Sequence, residues 1–543
     1  MIISSSIALL DNKIKEQFWS LCLRAFGKTP NSFPPKKITI SIAVAVVSIY
    51  AAFRKLTQPP PQLRNLPRPG FLQYVSTILM NKPYDNVLKE VIYPVAFKAD
   101  HGLYAAFGLF GWSVYITDSV AARKLLTKTD LFPKINIINS QHQHTLFGRF
   151  AVGPNIIFLP HGPQWKAQRS VMNPAFNRSM PVRLFGELTQ KLFVQLDKTA
   201  DSSPIDVLDI MNRWTLDAIG IAGFDFDFDA ITNKNSEWVT RYHHIMGGSR
   251  DALYQLLPFL ESPRLRALFP KRNQIHHELD LFLEKMQEII AHKREILNNN
   301  EFATNKKTNE KDLLTLMLEA AKEENGKLTD EEIMANLCGF FLAGHDTTSN
   351  AISYALYNLA THPDIQEKAR DEANRILGSE PIDVLPTVEQ INEMTYTQMI
   401  IKETMRVNTI VQNIVSRKVV EDVDIGGFVV PKGAQVTLDI MAIHRNPKIW
   451  KNPDEFNPER FEPGGEAEKV TKMGLGWVPF SNGARQCIGK NFSLTEQRVI
   501  IPMLLRKYEL SLPDDSIHKD KVVISGIGSF SAVNLQIKLK KRY

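Results

Sequence analysis

The chain has 543 residues, 44% of them hydrophobic and 23% charged, an ordinary globular composition that argues against disorder and fibrous repeats. Its formal net charge is +7, but lysine and arginine are spread along the chain and not interleaved with aromatics, which makes nucleic acid the poorest partner for that charge. The three cysteines, Cys22, Cys338 and Cys487, lie far apart, which argues against a disulfide framework and a CxxC zinc site and fits a reducing, cytosol-facing environment.

Residues 1–37 form a leader without a readable function. Its apolar start lacks a small-residue cleavage site. Residues 38–53 carry no charge and are flanked by Lys36, Lys37, Arg54 and Lys55. The run falls short of the ~20 residues of a usual span, a gap that snorkelling flanks can close. The pattern predicts a transmembrane anchor over 38–54. Residues 55–70 hold Gln58-Pro59-Pro60-Pro61 and Leu66-Pro67-Arg68-Pro69-Gly70, a stiff hinge. No composition shift divides 71–543, so one large domain is expected there.

Within that domain, Trp165-Lys166-Ala167-Gln168-Arg169 carries Trp and Arg at a four-residue spacing. Residues 252–270 are rich in Leu and Phe and broken by prolines, which fits either an exposed apolar patch or a core helix pair with a tight turn. Residues 275–297 and 365–376 read as helices, and 298–309 as a polar surface loop. Thr329-Asp330-Glu331-Glu332 has the capping-box pattern, and apolar residues continue to Thr361-His362-Pro363. That predicts a helix of about 30 residues, roughly 45 Å long.

Inside this helix stands Ala343-Gly344-His345-Asp346-Thr347-Thr348, where Ala343, Asp346 and Thr347 share a face. Interior Gly339 and Gly344 each cost about 1 kcal/mol relative to alanine; close approach of a flat bound group would account for them. Thr347 has a second reading, a hydroxyl bonded back to its own helix. His345 either contacts a ligand or is hydrogen-bonded in place. Glu403 and Arg406 lie three apart on another helix. The run 407–414 after them has no proline and brings polar Thr409, Gln412 and Asn413. Residues 426–433 and 522–539 read as strand, so the fold class is mostly α with small β-sheets. The histidine pairs His142/His144, His243/His244 and His276/His277 lack the companions of a zinc site.

The most informative stretch is Phe480-Ser481-Asn482-Gly483-Ala484-Arg485-Gln486-Cys487-Ile488-Gly489. Its glycines permit tight turns and close approach. A cysteine in an electropositive loop can be a thiolate, the metal-ligating form, and Arg485 is shaped to grip a carboxylate. A thiolate and a carboxylate-gripping arginine suit a haem with an axial cysteine. The stretch resembles the signature of the cytochrome P-450 superfamily, the haem-thiolate monooxygenases, in which Phe, Gly, Arg, Cys and Gly stand where Phe480, Gly483, Arg485, Cys487 and Gly489 stand here. The resemblance extends over 71–543, and its anchored front is that of the microsomal type.

The resemblance implies haem b as cofactor, with Cys487 as the iron ligand, Arg485 on a propionate and Phe480 beside the thiolate. It places Trp165, Arg169 and Arg417 at the propionates too. Asp346 and Thr347 would deliver protons during dioxygen activation. Glu403 and Arg406 would form a buried network with Arg460 of Asn457-Pro458-Glu459-Arg460-Phe461. Electrons must come from outside, since no dinucleotide or flavin fingerprint is present, which implies NADPH-cytochrome reductase. The expected substrate is lipophilic, a steroid or long-chain fatty acid, with steroids favoured by the neutral groups of Gln412, Asn413 and Ser529. The expected location is the endoplasmic reticulum membrane, single-pass, with the catalytic domain facing the cytosol. Two other readings share the cysteine loop: a haem-thiolate isomerase or dehydratase, and a non-enzymatic haem carrier or sensor.

Overall fold

The computed structural model describes residues 47–543 apart from 49, 52, 55–56, 72, 74–75, 78–82, 109, 139–140, 178–179, 300–310, 324–326 and 527–528. The leader, most of the predicted anchor and most of the predicted loop 298–309 lie outside the described residues. Among the described residues no helix is long and apolar enough to cross a membrane. Residues 1–58 and 59–543 form two compact units. The predicted hinge is corrected at its C-terminal side. Leu63 and Leu66 are buried in the larger unit, and Ala105 N donates to Pro67 O at 2.9 Å. Apolar leucines set between prolines find a sheet to cover, so the folded unit begins earlier than 71.

In the larger unit a continuous helical stretch from Tyr84 to Ala96 precedes the antiparallel hairpin of β1 (Leu103–Gly108) and β2 (Gly111–Ile116). Helices α1 (Ser119–Thr127), α2 (Leu146–Ala151), α3 (Pro163–Asn177) and α4 (Val182–Leu196) follow. Then come β3 (Ile205–Asp206), α5 (Val207–Ile219), α6 (Glu237–Ser249) and α7 (Pro270–Asn299). Next are α8 (Leu313–Lys322), α9 (Asp330–Thr361), α10 (Pro363–Leu377) and α11 (Thr395–Val407). Short strands β4 (Arg417–Lys418), β5 (Val423–Ile425), β6 (Phe428–Val430) and β7 (Gln435–Leu438) precede α12 (Ile440–His444). After α13 (Lys490–Lys507) the chain ends in β8 (Tyr508–Ser511), β9 (Ile524–Ser525), β10 (Ser531–Ala532) and β11 (Gln536–Lys541). The sheets are small, with strand orders β1-β2-β7-β4, β3-β11-β8, β5-β6 and β9-β10. The molecule is mostly α with small sheets.

Helix α9 is the axis of the core. Its 32 residues span about 48 Å, and the capping box is present in both directions: Glu332 N donates to Thr329 Oγ1 at 3.2 Å, and Thr329 N to Glu332 Oε2 at 2.8 Å. It packs along α5, where Thr215 Oγ1 donates to His345 O at 3.1 Å. It meets α13 where Thr348 Oγ1 donates to Ser493 Oγ at 2.9 Å. Here interior Gly344 finds a different cause from the one expected. A Cβ on Gly344 would lie 2.8 Å from Ile219 Cγ1 of α5, and one on Gly339 would lie 3.4 Å from Asn155 Nδ2. Gly344 admits its neighbouring helix, while a methyl at Gly339 would make ordinary contact.

Residues 252–270 form short helical turns with Leu257, Phe259 and Leu268 exposed, so the apolar patch is real and the core helix pair is not. The patch is pinned from below by buried Glu261, which accepts from Arg272 Nε at 2.9 Å and His276 Nε2 at 2.8 Å.

Candidate active site

The cysteine loop is built by a few backbone contacts. Cys487 N donates to Phe480 O at 2.9 Å, and Ser481 N to Val478 O at 3.0 Å. Gly483 has φ +69, and a Cβ there would sit 2.5 Å from Leu126 O at the end of α1. Any side chain would clash, so this glycine is required by the turn and by close approach. Gly489 meets only Phe176, at 4.0 Å, and no protein neighbour demands it. Phe480 is half-buried against the main core.

Cys487 keeps exposed side-chain surface, yet the surrounding protein is deep enough to act on its thiol. Burial pushes the thiol up. The N–H groups of Gly489 and Lys490 and the Arg169 and Lys490 cations pull it down without cancelling the rise. A coordinated metal ion deprotonates such a thiol outright.

Arg485 is buried, and its Nε, Nη1 and Nη2 find no hydrogen-bond partner. Its guanidinium lies over the Trp165 ring, 3.7 Å from the centroid. Burial, then the Arg417 and Arg169 charges, push its pKa down to about 9. Arg417 is buried on β4, with Nη1 donating to Phe132 O at 3.1 Å and Nε unpartnered; burial lowers its pKa to about 10. Arg169 on α3 reaches the loop, donating from Nη2 to Gln486 O at 3.1 Å. The structure thus brings Trp165, Arg169, Arg417 and Arg485 together.

Lys134 is a fourth cation, unanticipated in the sequence. It pairs with Arg417 across an isolated antiparallel bridge and donates from Nζ to Ile157 O. Burial, then Arg485, Arg417 and Arg169, hold its amine well below the usual lysine range. The Phe132-Pro133-Lys134 stretch carries no motif, and only its register with β4 would have given it away. No carboxylate among the described residues pairs with any of the four. This cluster of basic groups, in which the three Arg485 nitrogens and Arg417 Nε find no protein acceptor, fits a group that carries two carboxylates, as haem does.

On α9, residues 336–360 are buried except for Leu342, Ala343, Gly344, Asp346 and Thr347, which are partly exposed. Thr347 Oγ1 donates to Ala343 O at 2.8 Å, which leaves its lone pairs free to accept. Asp346 Oδ2 lies 3.6 Å from Arg250 Nη2 at the end of α6, and Arg250 reaches solvent. His345 turns away from this notch. Its ring packs 4.7 Å from Tyr242 and 5.1 Å from Phe341, and Nδ1 donates to Phe341 O at 2.6 Å.

Glu403 and Arg406 form a fully buried pair, Nε to Oε2 at 2.7 Å and Nη2 to Oε1 at 2.8 Å. Arg460 Nε lies 3.3 Å from Glu403 Oε1. Arg406 also donates to the carbonyls of His444, Pro453 and Glu455, so all five of its N–H groups are used. The polar run after Arg406 is spent internally. Gln412 Oε1 accepts Tyr84 OH at 2.9 Å, Asn413 Nδ2 donates to Ile414 O at 3.2 Å, and Thr409 is buried. The histidine pairs form no metal cluster among the described residues.

Residues 112–530 match the family described as Cytochrome P450. The chain is 28% identical over 533 residues to Cytochrome P450 monooxygenase 205 of Postia placenta, covering 90% of this chain and 94% of that protein. It is 29% identical to Taurochenodeoxycholic 6 alpha-hydroxylase of Sus scrofa over 71% of this chain and 75% of that one. The crystal structure of the cytochrome P450DA heme domain superposes with a TM-score of 0.69 at 23% identity, covering 88% of this chain and 98% of that one. The chain therefore belongs to the cytochrome P450 family of haem-thiolate monooxygenases.

Proposed function

We propose that this protein hydroxylates a lipophilic substrate, steroid-like or fatty-acid-like, with Cys487 as the axial iron ligand. The observation that carries the reading is Arg485, which stands on the loop that holds Cys487, has no hydrogen-bond partner for any guanidinium nitrogen and sits among Arg169, Arg417 and Lys134. Arg485, Arg169, Arg417 and Trp165 would hold the two propionates, with Lys134 as a further cation. The haem, when bound, supplies dioxygen binding and oxygen-atom transfer.

The protein's own part is to bind, orient and move protons. Thr347 Oγ1 spends its proton on Ala343 O and offers lone pairs into the notch, where it would hold a water. Asp346 would take protons from the solvent side, where Arg250 holds it, and pass them inward to that water. Glu403, Arg406 and Arg460 would keep the proximal side rigid. An isomerase has no use for this pair of groups, nor has a carrier.

The porcine relative is named for hydroxylation of a bile acid, which supports a steroid-like substrate. The internal bonds of Gln412 and Asn413 remove part of the polar recognition that favoured steroids over fatty acids. Electrons would come from NADPH-cytochrome reductase docking near Lys166 and Lys490. The uncharged run 38–53 and the exposed patch at Leu257, Phe259 and Leu268 support anchoring in the endoplasmic reticulum membrane, with the catalytic domain cytosolic.

The test is a titration of the purified holoprotein with steroids and long-chain fatty acids. The expected result is a haem spin-state shift at micromolar levels, followed by hydroxylated product when reductase and NADPH are added. A response confined to small water-soluble aromatics, or product without oxygen consumption, would overturn the reading.

A further inference from the structure

His444 stands at the end of α12, between α11 and the chain that leads into the cysteine loop, and its side chain is fully buried. Nε2 lies 2.9 Å from Val478 N, and Nδ1 lies 2.8 Å from Thr409 Oγ1. A backbone amide only donates, so Nε2 must present its lone pair. The ring proton then sits on Nδ1 and is donated to Thr409 Oγ1. Having accepted it, the Thr409 hydroxyl turns its own proton to the last turn of α11, where Arg406 O lies 3.1 Å and Met405 O 3.4 Å away.

The chain runs from Val478 N–H through the imidazole to the Thr409 hydroxyl and ends on the carbonyls of the last turn of α11. Arg406 closes the circuit by donating from Nη1 to His444 O at 2.9 Å. Burial, with the Arg406 and Arg445 cations nearby, pushes the His444 pKa down to about 3, consistent with a neutral ring.

The imidazole acts on the root of the loop. Val478 O accepts Ser481 N, and Phe480 O accepts Cys487 N. The neighbouring Trp477 Nε1 donates to Lys402 O at 3.1 Å, a second tie to α11. A hydrophobic residue of equal size would fill the same volume but leave Val478 N–H buried without an acceptor.

We propose that His444 is a positioning residue for the cysteine loop, a neutral Nδ1-protonated strut that carries the placement of the Glu403–Arg406 helix to the backbone holding Cys487. The proposal rests on the reading of Cys487 as the iron ligand.

The experiment follows the red-shifted Soret band of the reduced, carbon monoxide-bound full-length holoprotein, the mark of thiolate ligation, alongside haem content and circular dichroism. His444→Phe should bind haem and keep native helix content, but its thiolate band should decay about tenfold faster, the size expected when a buried amide loses its acceptor. His444→Gln, whose amide oxygen can reach the Nε2 position, should restore most of the lifetime. A Phe variant as long-lived as the native protein, or a Gln variant as labile as Phe, would overturn the proposal. If His444→Phe yields no holoprotein, His444→Gln and His444→Asn decide. Asn places its amide at the Nδ1 position, so the proposal requires a longer-lived band in Gln, and equal lifetimes refute it. Failure of the ligand reading shows separately, as a thiolate band that persists in Cys487→Ser.

Discussion

Arg485 stacks on Trp165 at 3.7 Å with all three guanidinium nitrogens unpartnered, although it is buried among other cations. Stacking satisfies its flat face and leaves its edge available. An edge of N–H donors with no protein acceptor suits a carboxylate, such as the haem propionate proposed for it. Arg485→Met should therefore weaken haem retention by about ten- to a hundredfold, the worth of hydrogen bonds to a charged group. Arg485→Lys should recover only part of it, since an ammonium cannot both stack and fork. Haem transfer to an apo-globin acceptor measures the loss.

Cys487 and Cys338 make a controlled pair. Cys338 is fully buried on α9, where burial pushes its thiol up to about 12 and its Sγ faces Met334 Sδ at 3.8 Å. Cys338→Ser should keep the red-shifted carbon monoxide band, and Cys487→His should lose it. Equal spectra in the two variants would remove Cys487 from the iron.

Thr347→Ala deletes a hydroxyl whose only bond among the described residues is to its own helix, so fold and haem content should hold. Coupling of NADPH oxidation to product should fall several-fold, with the difference appearing as hydrogen peroxide. Arg250→Ala, which frees Asp346 on the solvent side, should change the solvent isotope effect on product formation, while Arg250→Lys should change it little. Unaltered coupling in Thr347→Ala would dismiss the proton role.

Glu403→Gln removes one charge from a pair buried on every side. An uncompensated buried guanidinium costs about 3–5 kcal/mol. The variant should melt well below the native protein, and a scan of the holoprotein should show it. A melting temperature near native would mean that the five donors of Arg406 are satisfied without the carboxylate.

His444 imposes a pH dependence. In the unfolded chain it takes a proton below about 6.5, whereas in the fold it stays neutral down to about 3. The unfolded state then binds more protons, so its contribution to stability is complete above about pH 6.5 and is lost progressively as pH falls toward 3. His444→Gln lacks this term. Its stability deficit in urea should be about 2 kcal/mol smaller at pH 5 than at pH 7.5. A deficit independent of pH would show that the ring titrates in the fold as it does in the unfolded chain.

The cysteine loop, the capping box at Thr329, the long helix and the Glu403–Arg406 spacing were all legible in the sequence, because each is a local pattern in which residues a few positions apart share one turn or one face. Choices between distant partners were not legible. Lys134 joins Arg417 and Arg485 only because one strand bridge sets their register. Gly344 answers to Ile219 on another helix, and His345 turns toward Tyr242 and away from the notch. Gln412 gives its oxygen to Tyr84, a partner 328 residues away that no local pattern announces. His444 stands in no motif, and only packing puts Val478 and Thr409 on either side of it. A side chain's role at such positions depends on which donor or acceptor packing brings within 3 Å, and long-range packing leaves no period in the sequence to read.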